Sequence, residues 1–342
     1  MSEKKAVFFG ELLMRLGTKD LKCFVQASDF EVGYTGAEAN CAISLANYGL
    51  DAYAVSSVPN TEIGQACINH LRRFGVNTDY IKRAGKRLGI FYLETGASQR
   101  PSKVIYDRTG SSITELKPGD LPWDEIFANK DWFHFSGTAP ALADNMPEIV
   151  KEACTRAKEY GVTVSCDLNF RSKLWSSERA NEVMTELMTY VDVLIGNEEE
   201  ADKVFGIRAQ GVDVTSGELD ESRYTDVAEQ LVKKLDLQYV AITLRQSISA
   251  SDNNWSALLC DGTDSYFSTK YIVHLVDRVG GGDAFSGGLI YSLLTGMAPR
   301  DAVEFAAAAS CLKQTIPGDF NMVSREDVMN LAGGDASGRI LR

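Results

Sequence analysis

Asp283 stands directly behind three consecutive glycines, Gly280, Gly281 and Gly282, and directly before an apolar, helix-like stretch. Glycines free the backbone to turn sharply and aim several N–H groups at one point, and a following helix adds the positive end of its dipole. Phosphate is the natural guest of such an anion hole, although glycine-rich turns are common in proteins that bind none. A carboxylate at the mouth would repel a bound phosphate unless it had a task there. Accepting the proton of a hydroxyl that attacks that phosphate is such a task.

Other chemistries fail on spacing. A G-x-G-x-x-G dinucleotide motif would need glycine where Phe285 stands, and it should follow the first strand, where the chain has "GELLMR". The pair Gly85–Lys86 is followed by Arg87, and Tyr80 occupies the place of a Walker motif's first glycine, so a P-loop is ruled out. The seven cysteines are scattered without a C-x-x-C pair and read as free buried thiols, and the three histidines are isolated and read as structural. A net charge of −12 repels nucleic acid and anionic lipid, so an anionic substrate must meet a local cationic pocket. No apolar run approaches the roughly 18 residues of a membrane span, and "MSEKKAVFFGELLMRLG" lacks a cleavage site, which predicts a cytoplasmic protein without a membrane partner.

The elements that must position these residues alternate along the chain. Strand candidates at 6–10, 52–58, 131–137, 162–169, 191–197 and 239–244 are separated by helical patterns, the signature of a mostly parallel sheet flanked by helices. Gly49 and Gly75 close two of these helices, and Pro147 sits at an early position of a third. Two late helices are predicted over 283–295 and 300–314, and a polar loop over 208–223. Between 88 and 113, two β runs joined by "ASQRP" predict a hairpin; with 12–35 it forms a small β lid over a cleft. The expected organisation is one α/β domain over 1–335 with a tail at 336–342.

"DRVGGGDAFSGGL" resembles the C-terminal signature of the ribokinase-like (PfkB) sugar kinases, commonly D-T-x-G-A-G-D-x-F. "GNEEEA" matches that family's N-x-x-E motif through Asn197 and Glu200, and "TGAEANCAISLANYG" resembles its N-terminal sugar-binding segment. The three segments, in the family's order, span nearly the whole chain. Within the family, "VIYDRTGS" and "DLNFRSKLW" resemble the branch that phosphorylates 2-keto-3-deoxygluconate. An arginine fork holds a carboxylate by two hydrogen bonds, so Arg108 and Arg171 suit an acidic sugar, although either alone reads equally well as a surface ion pair.

The resemblance implies a three-layer ribokinase-like fold and transfer of the ATP γ-phosphoryl group to the sugar's C6 hydroxyl. Asp283 would be the base, with Gly280, Gly281 and Gly282 holding the transferred group. Gly36, Asn40, Phe91, Tyr106, Arg108, Arg171 and Asp319 would contact the sugar, with Phe91 or Tyr92 serving where the family carries a lid tyrosine. Asn169, Asn197, Thr243, Arg245 and Asp277 would lie on the nucleotide side, and Asn197 with Glu200 would hold Mg²⁺ through water. Analogy gives Asp277 either the glycine loop to position or a monovalent cation to bind. A homo-oligomer through the lid is expected. Two departures stand out: "TLRQSISASDNNW" lacks the glycines of the usual T-L-G-x-x-G and predicts a longer loop, and Arg278 replaces the common threonine or proline without an evident role. Rival readings are a kinase of a neutral sugar such as fructose, and a sugar-binding module without catalysis.

Overall fold

The computed structural model describes residues 4–208 and 221–335, in which fourteen strands form two sheets. The strands are β1 (Lys5–Phe9), β2 (Leu13–Gly17), β3 (Glu31–Thr35), β4 (Asp51–Val58), β5 (Ile81–Arg83), β6 (Gly89–Glu94), β7 (Lys103–Asp107), β8 (Trp132–Ser136), β9 (Thr163–Asp167), β10 (Val193–Gly196), β11 (Tyr239–Ser247), β12 (Asp252–Cys260), β13 (Ser265–Phe267) and β14 (Tyr271–His274).

The large sheet runs β13-β12-β11-β10-β9-β8-β1-β4-β5, with β14 paired to β12. Strands β11 through β5 in that order pair in parallel, and β12 to β14 add an antiparallel edge. Helices cover both faces, so the central strands bury both sides and read as unbroken apolar runs. In β1, Val7 and Phe9 join one core with Phe133 and Phe135, while Ala6 and Phe8 join the other with Ile43, Phe285 and Phe305. This is the mixed α/β architecture that the alternating pattern predicts.

Strand β1 has β4 on one side and β8 on the other, so the winding reverses there. Ligands of open α/β sheets bind outside the carboxyl ends of the strands near such a reversal. The chain leaving β1, β8, β9 and β10 supplies Glu11, Ser136, Asn169 and Asn197 along this edge.

The small sheet, β3-β2-β6-β7, stands over that edge. Alternation sorts its side chains: Leu13, Phe91, Val104 and Tyr106 line the cleft. Val32, Leu16, Tyr92 and Ile105 fall in register across the opposite face. Of the two lid candidates, Phe91 faces the cleft, whereas Tyr92 points away and packs edge-on against Phe30 at 5.9 Å.

Several elements differ from expectation. The segment 245–254 is the end of a β11/β12 hairpin with cross-strand pairs Arg245–Trp255 and Gln246–Asn254, where a longer loop was predicted. Glu221–Arg223 open the helix Glu221–Leu235, and the rest of the predicted polar loop, 209–220, lies outside the described residues, as does the tail at 336–342. The helix after the glycine run begins at Gly281, two residues early. Strand β14 and the helices Trp123–Phe127 and Arg325–Ala332 carry too few periodic residues to have been read.

Candidate active site

Asp283 sits in the first turn of the helix Gly281–Leu294 and opens on a cleft of about 580 Å³ between the large sheet and the lid. Gly280 caps this helix at φ 81°, and a Cβ there would lie 1.9 Å from the Asp319 carbonyl, so both conformation and space require glycine. A Cβ at Gly281 would meet the Gln314 side chain at 3.1 Å, whereas Gly282 has open space around it. The Gly281 N–H closes the turn on the Arg278 carbonyl. Of those that follow, Ala284 N–H donates to the Gly280 carbonyl at 2.8 Å, which leaves the Gly282 and Asp283 N–H groups of the first turn placed to receive an anion. Gly287 and Gly288 serve packing instead: side chains there would press on Ser44 at 2.8 Å and on the Ala306 backbone at 3.0 Å.

The Asp283 carboxylate accepts a hydrogen bond from Asn40 Nδ2 at 2.6 Å, and Asn40 Oδ1 accepts from the Thr35 hydroxyl at 2.9 Å. Asn40 thus orients Asp283, and it lines the cleft with a second Nδ2 hydrogen left to meet a ligand oxygen. Burial pushes the Asp283 carboxyl up to about 8, with Asp167, Glu38 and Asp319 adding like charge and Asn40 opposing. A carboxyl poised there suits a base working near neutral pH.

Gly36 lines the cleft in extended backbone; a Cβ would strike the Glu11 carbonyl at 2.3 Å, so glycine lets the two segments meet. Asp319 also lines the cleft. Arg15 on β2 holds its Oδ1, and its buried Oδ2 accepts no hydrogen bond, since the neighbouring Thr35 gives its hydroxyl proton to Asn40. Burial raises the Asp319 pKa while Arg15 opposes.

The two arginines differ. Among the described residues Arg171 hydrogen-bonds only the Phe170 carbonyl, at 3.0 Å, and makes no salt bridge, and it lines both the cleft and a side chamber beneath the lid. Arg108 lies in the side chamber alone, tied to buried Glu11, which also accepts from Ser111, and stacked 5.0 Å from the Tyr106 ring centroid. Its charge is already met by a carboxylate, a pairing that no local spacing reveals because Glu11 is 97 positions away.

Asn169, Asn197, Thr243 and Arg245, the residues expected on the nucleotide side, all line the cleft. Asn169 adopts a left-handed φ of 38°, an uncommon conformation for a residue other than glycine. Asn197 and Glu200 form the capping box of the helix Glu198–Phe205. Asn197 Oδ1 accepts from Glu200 N at 3.0 Å, Glu200 Oε2 accepts from Asn197 N at 3.1 Å, and Oε1 accepts from Phe170 N at 3.1 Å. The N-x-x-E spacing therefore has a structural task that the sequence reading overlooked.

Asp167, unassigned from sequence, completes this end; it accepts from Asn169 N at 3.1 Å and from the Ser286 hydroxyl at 3.4 Å. Asp167 and Glu200 are both pushed up, first by burial and, for Glu200, by the Asp167 charge, with Arg171 countering. Among the described residues no cluster of three or more His, Cys, Asp or Glu could ligate a metal.

Asp277 lies behind the loop. Its Oδ1 accepts from Val279 N at 3.1 Å, and its Oδ2 accepts from Gly318 N at 3.2 Å and from Arg15 at 2.7 Å. Its carbonyl accepts from the ammonium of Lys313, a wholly buried residue, at 2.9 Å. Of the two roles expected for Asp277, these bonds match the positioning of the loop.

A family model described as pfkB family carbohydrate kinase matches residues 3–324. The chain belongs to that family. This carbohydrate kinase is 50% identical to a solved 2-dehydro-3-deoxygluconokinase from Thermotoga maritima, with a TM-score of 0.93 over 97% of this chain and 100% of that one. It is 32% identical to a 2-dehydro-3-deoxygalactonokinase from Haloferax volcanii, over 96% of this chain and 97% of the relative, and 28% identical to a 2-dehydro-3-deoxygluconokinase from Bacillus subtilis, over 92% and 91%. Family membership implies a sugar and ATP as substrates. No helix among the described residues of the kinase is long and apolar enough to cross a membrane.

Proposed function

We propose that this carbohydrate kinase transfers the γ-phosphoryl group of ATP to the C6 hydroxyl of 2-keto-3-deoxygluconate. The observation that carries this reading is Arg171, a guanidinium that lines the cleft and makes no salt bridge among the described residues. A neutral sugar would leave it unpaired, whereas a sugar acid supplies the missing anion. The 50% identity to the Thermotoga maritima 2-dehydro-3-deoxygluconokinase supports the same substrate. Phe91 and Tyr106 give the sugar an apolar and aromatic cover from the lid, and the free oxygen of Asp319 accepts from one of its hydroxyls.

In this scheme Asp283, oriented by Asn40, takes the proton of the attacking hydroxyl as the phosphoryl group moves over the first-turn N–H groups. Mg²⁺ would neutralise charge on the nucleotide phosphates. The raised pair Asp167 and Glu200 suits a nearby divalent cation, which would relieve their repulsion, and Mg²⁺ keeps several waters through which they would hold it. A monovalent cation at Asp277 fits poorly, because Arg15, Lys313 and two N–H groups already engage its oxygens. Lys313 supplies a fixed positive charge behind the loop instead.

ADP release measured with 2-keto-3-deoxygluconate, its C4 epimer and fructose tests the reading. Preference for fructose would overturn it; the two keto acids separate the activities named for the Thermotoga and Haloferax relatives.

The outer face of the lid supports a homo-oligomer. Val32 and Ile105, 56% and 54% exposed, flank Leu16 and Tyr92 in one apolar row that a second copy would cover. Light scattering of the wild type and of a Val32→Asp/Ile105→Asp variant checks this; a wild-type monomer sinks it.

A further inference from the structure

Two guanidiniums face the nucleotide end of the cleft without a salt-bridged carboxylate, although the Arg245 charge opposes the burial-driven rise in the pKa of Glu198. Arg245 projects from β11 and Arg278 from the turn before the glycine run, and both line the cleft. By contrast Arg15 behind the glycine loop and Arg108 in the side chamber are each held by buried acids. Arg245 and Arg278 have no ion pair or side-chain hydrogen bond among the described residues. Burial lowers the Arg278 pKa and the charge of Arg245 lowers it further, so in the free protein the two cations oppose one another.

The backbone beside them explains why side chains are needed. A glycine-rich turn after β11 would offer free N–H groups to phosphate. Here β11 runs on into a hairpin, and at Thr243 to Ser247 the backbone is paired with Asn253 to Ala257. Pairing with β12 takes up alternate N–H groups, and an extended strand does not gather the others at one point as a turn would, so the anion is met from the side chains. An oligoanion lying between Arg245 and the first turn at Gly280–Gly282 would satisfy both guanidiniums and remove their repulsion.

We propose that Arg245 and Arg278 clamp the polyphosphate chain of the nucleotide, replacing by side chain the turn this sequence lacks. The clamp rests on the assignment of this end of the cleft to the nucleotide, and it gives Arg278 its role.

Thermal shift and calorimetric titration of the full chain with inorganic tripolyphosphate, ATP and adenosine test the clamp. The wild type is stabilised by tripolyphosphate and ATP but not by adenosine, and more weakly as salt is raised. Arg278→Gln and Arg245→Gln each weaken ATP and tripolyphosphate binding about tenfold or more, and Arg278→Gln melts higher than the wild type without ligand because the like charges are separated. Arg278→Lys, which keeps the charge and loses the fork, retains part of the binding. Tripolyphosphate binding by the double glutamine variant as tight as by the wild type overturns the clamp. Tight ATP binding without phosphorylation of any sugar overturns the sugar assignment and leaves the clamp standing. A wild type that binds neither ATP nor tripolyphosphate overturns both.

Discussion

Asn40 and Asp283 lie 243 positions apart and meet at 2.6 Å, amide nitrogen to carboxylate oxygen. Their helices, Ala37–Asn47 and Gly281–Leu294, approach closely because Gly287 leaves room for Ser44. The base of the proposed transfer is thus held by packing, and its environment keeps its pKa near 8.

Asp283→Asn tests the base directly. Turnover falls by roughly 10²–10⁴ while ATP and sugar binding change far less, and near-normal turnover would falsify the assignment. Stability gives an independent readout. The folded carboxyl holds its proton up to about 8, whereas the unfolded one releases it near the ordinary value of 3.8. Stability associated with this group is complete below about 4 and is lost as pH rises toward 8. The ligand-free asparagine variant should therefore melt at least about 2 °C above the wild type at pH 8, with the gap closing toward pH 4.

Asn40→Ala removes a hydrogen bond that favours the charged form of Asp283. The rising limb of kcat/KM, which reports the free enzyme's base, should move to higher pH, and kcat at pH 7 should fall about tenfold. A drop in rate with an unmoved limb would assign Asn40 to sugar binding instead.

The sequence carried the parts of this molecule that are local. Alternating β and helical periods predicted the parallel sheet, and the β runs near 12–35 and 88–113 predicted strands outside it. Asp283 and Gly280 announced themselves because turn chemistry acts over a few residues, whereas Asn197 was legible only through a motif resemblance and its capping bond was missed. Long-range pairing was silent. Glu11 holding Arg108, Arg15 bridging Asp277 and Asp319, and Lys313 under the Asp277 carbonyl join segments 36 to 304 positions apart, and no spacing rule reaches across them. Asp167 lay within a quoted segment, but only the fold shows that the carboxyl end of β9 opens beside Glu200.

Arg171 and Arg108 should separate under mutation although both lie in segments that resemble substrate contacts. Arg171→Ala removes a guanidinium that makes no salt bridge among the described residues, although its charge opposes the raised pKa of Asp167 and Glu200. It should raise KM for the keto acid about tenfold or more with unchanged ATP affinity. Arg108→Ala strands buried Glu11 and should destabilise the fold by about 3–5 kcal/mol, visible in denaturant titration. Pairing it with Glu11→Gln should recover much of that loss. Equal loss of ATP affinity in Arg171→Ala would count against its carboxylate role.

Lys313 makes a prediction about ions. Its ammonium is wholly buried; burial lowers its pKa, while Asp277, Asp319 and Asp283 draw it back up. A charge fixed at the Asp277 carbonyl leaves a free monovalent cation nothing to add there, so wild-type turnover should be the same in potassium and in tetramethylammonium chloride at equal ionic strength. Lys313→Met keeps the length of the side chain and removes its charge, leaving the carbonyl without its donor. Its kcat should fall at least about tenfold with little change in KM for either substrate, as expected for a group that acts through the glycine loop. In Lys313→Ala, which also vacates the space, potassium or ammonium should restore part of the lost rate. Several-fold stimulation of the wild type by potassium would show that the lysine does not stand in for an ion.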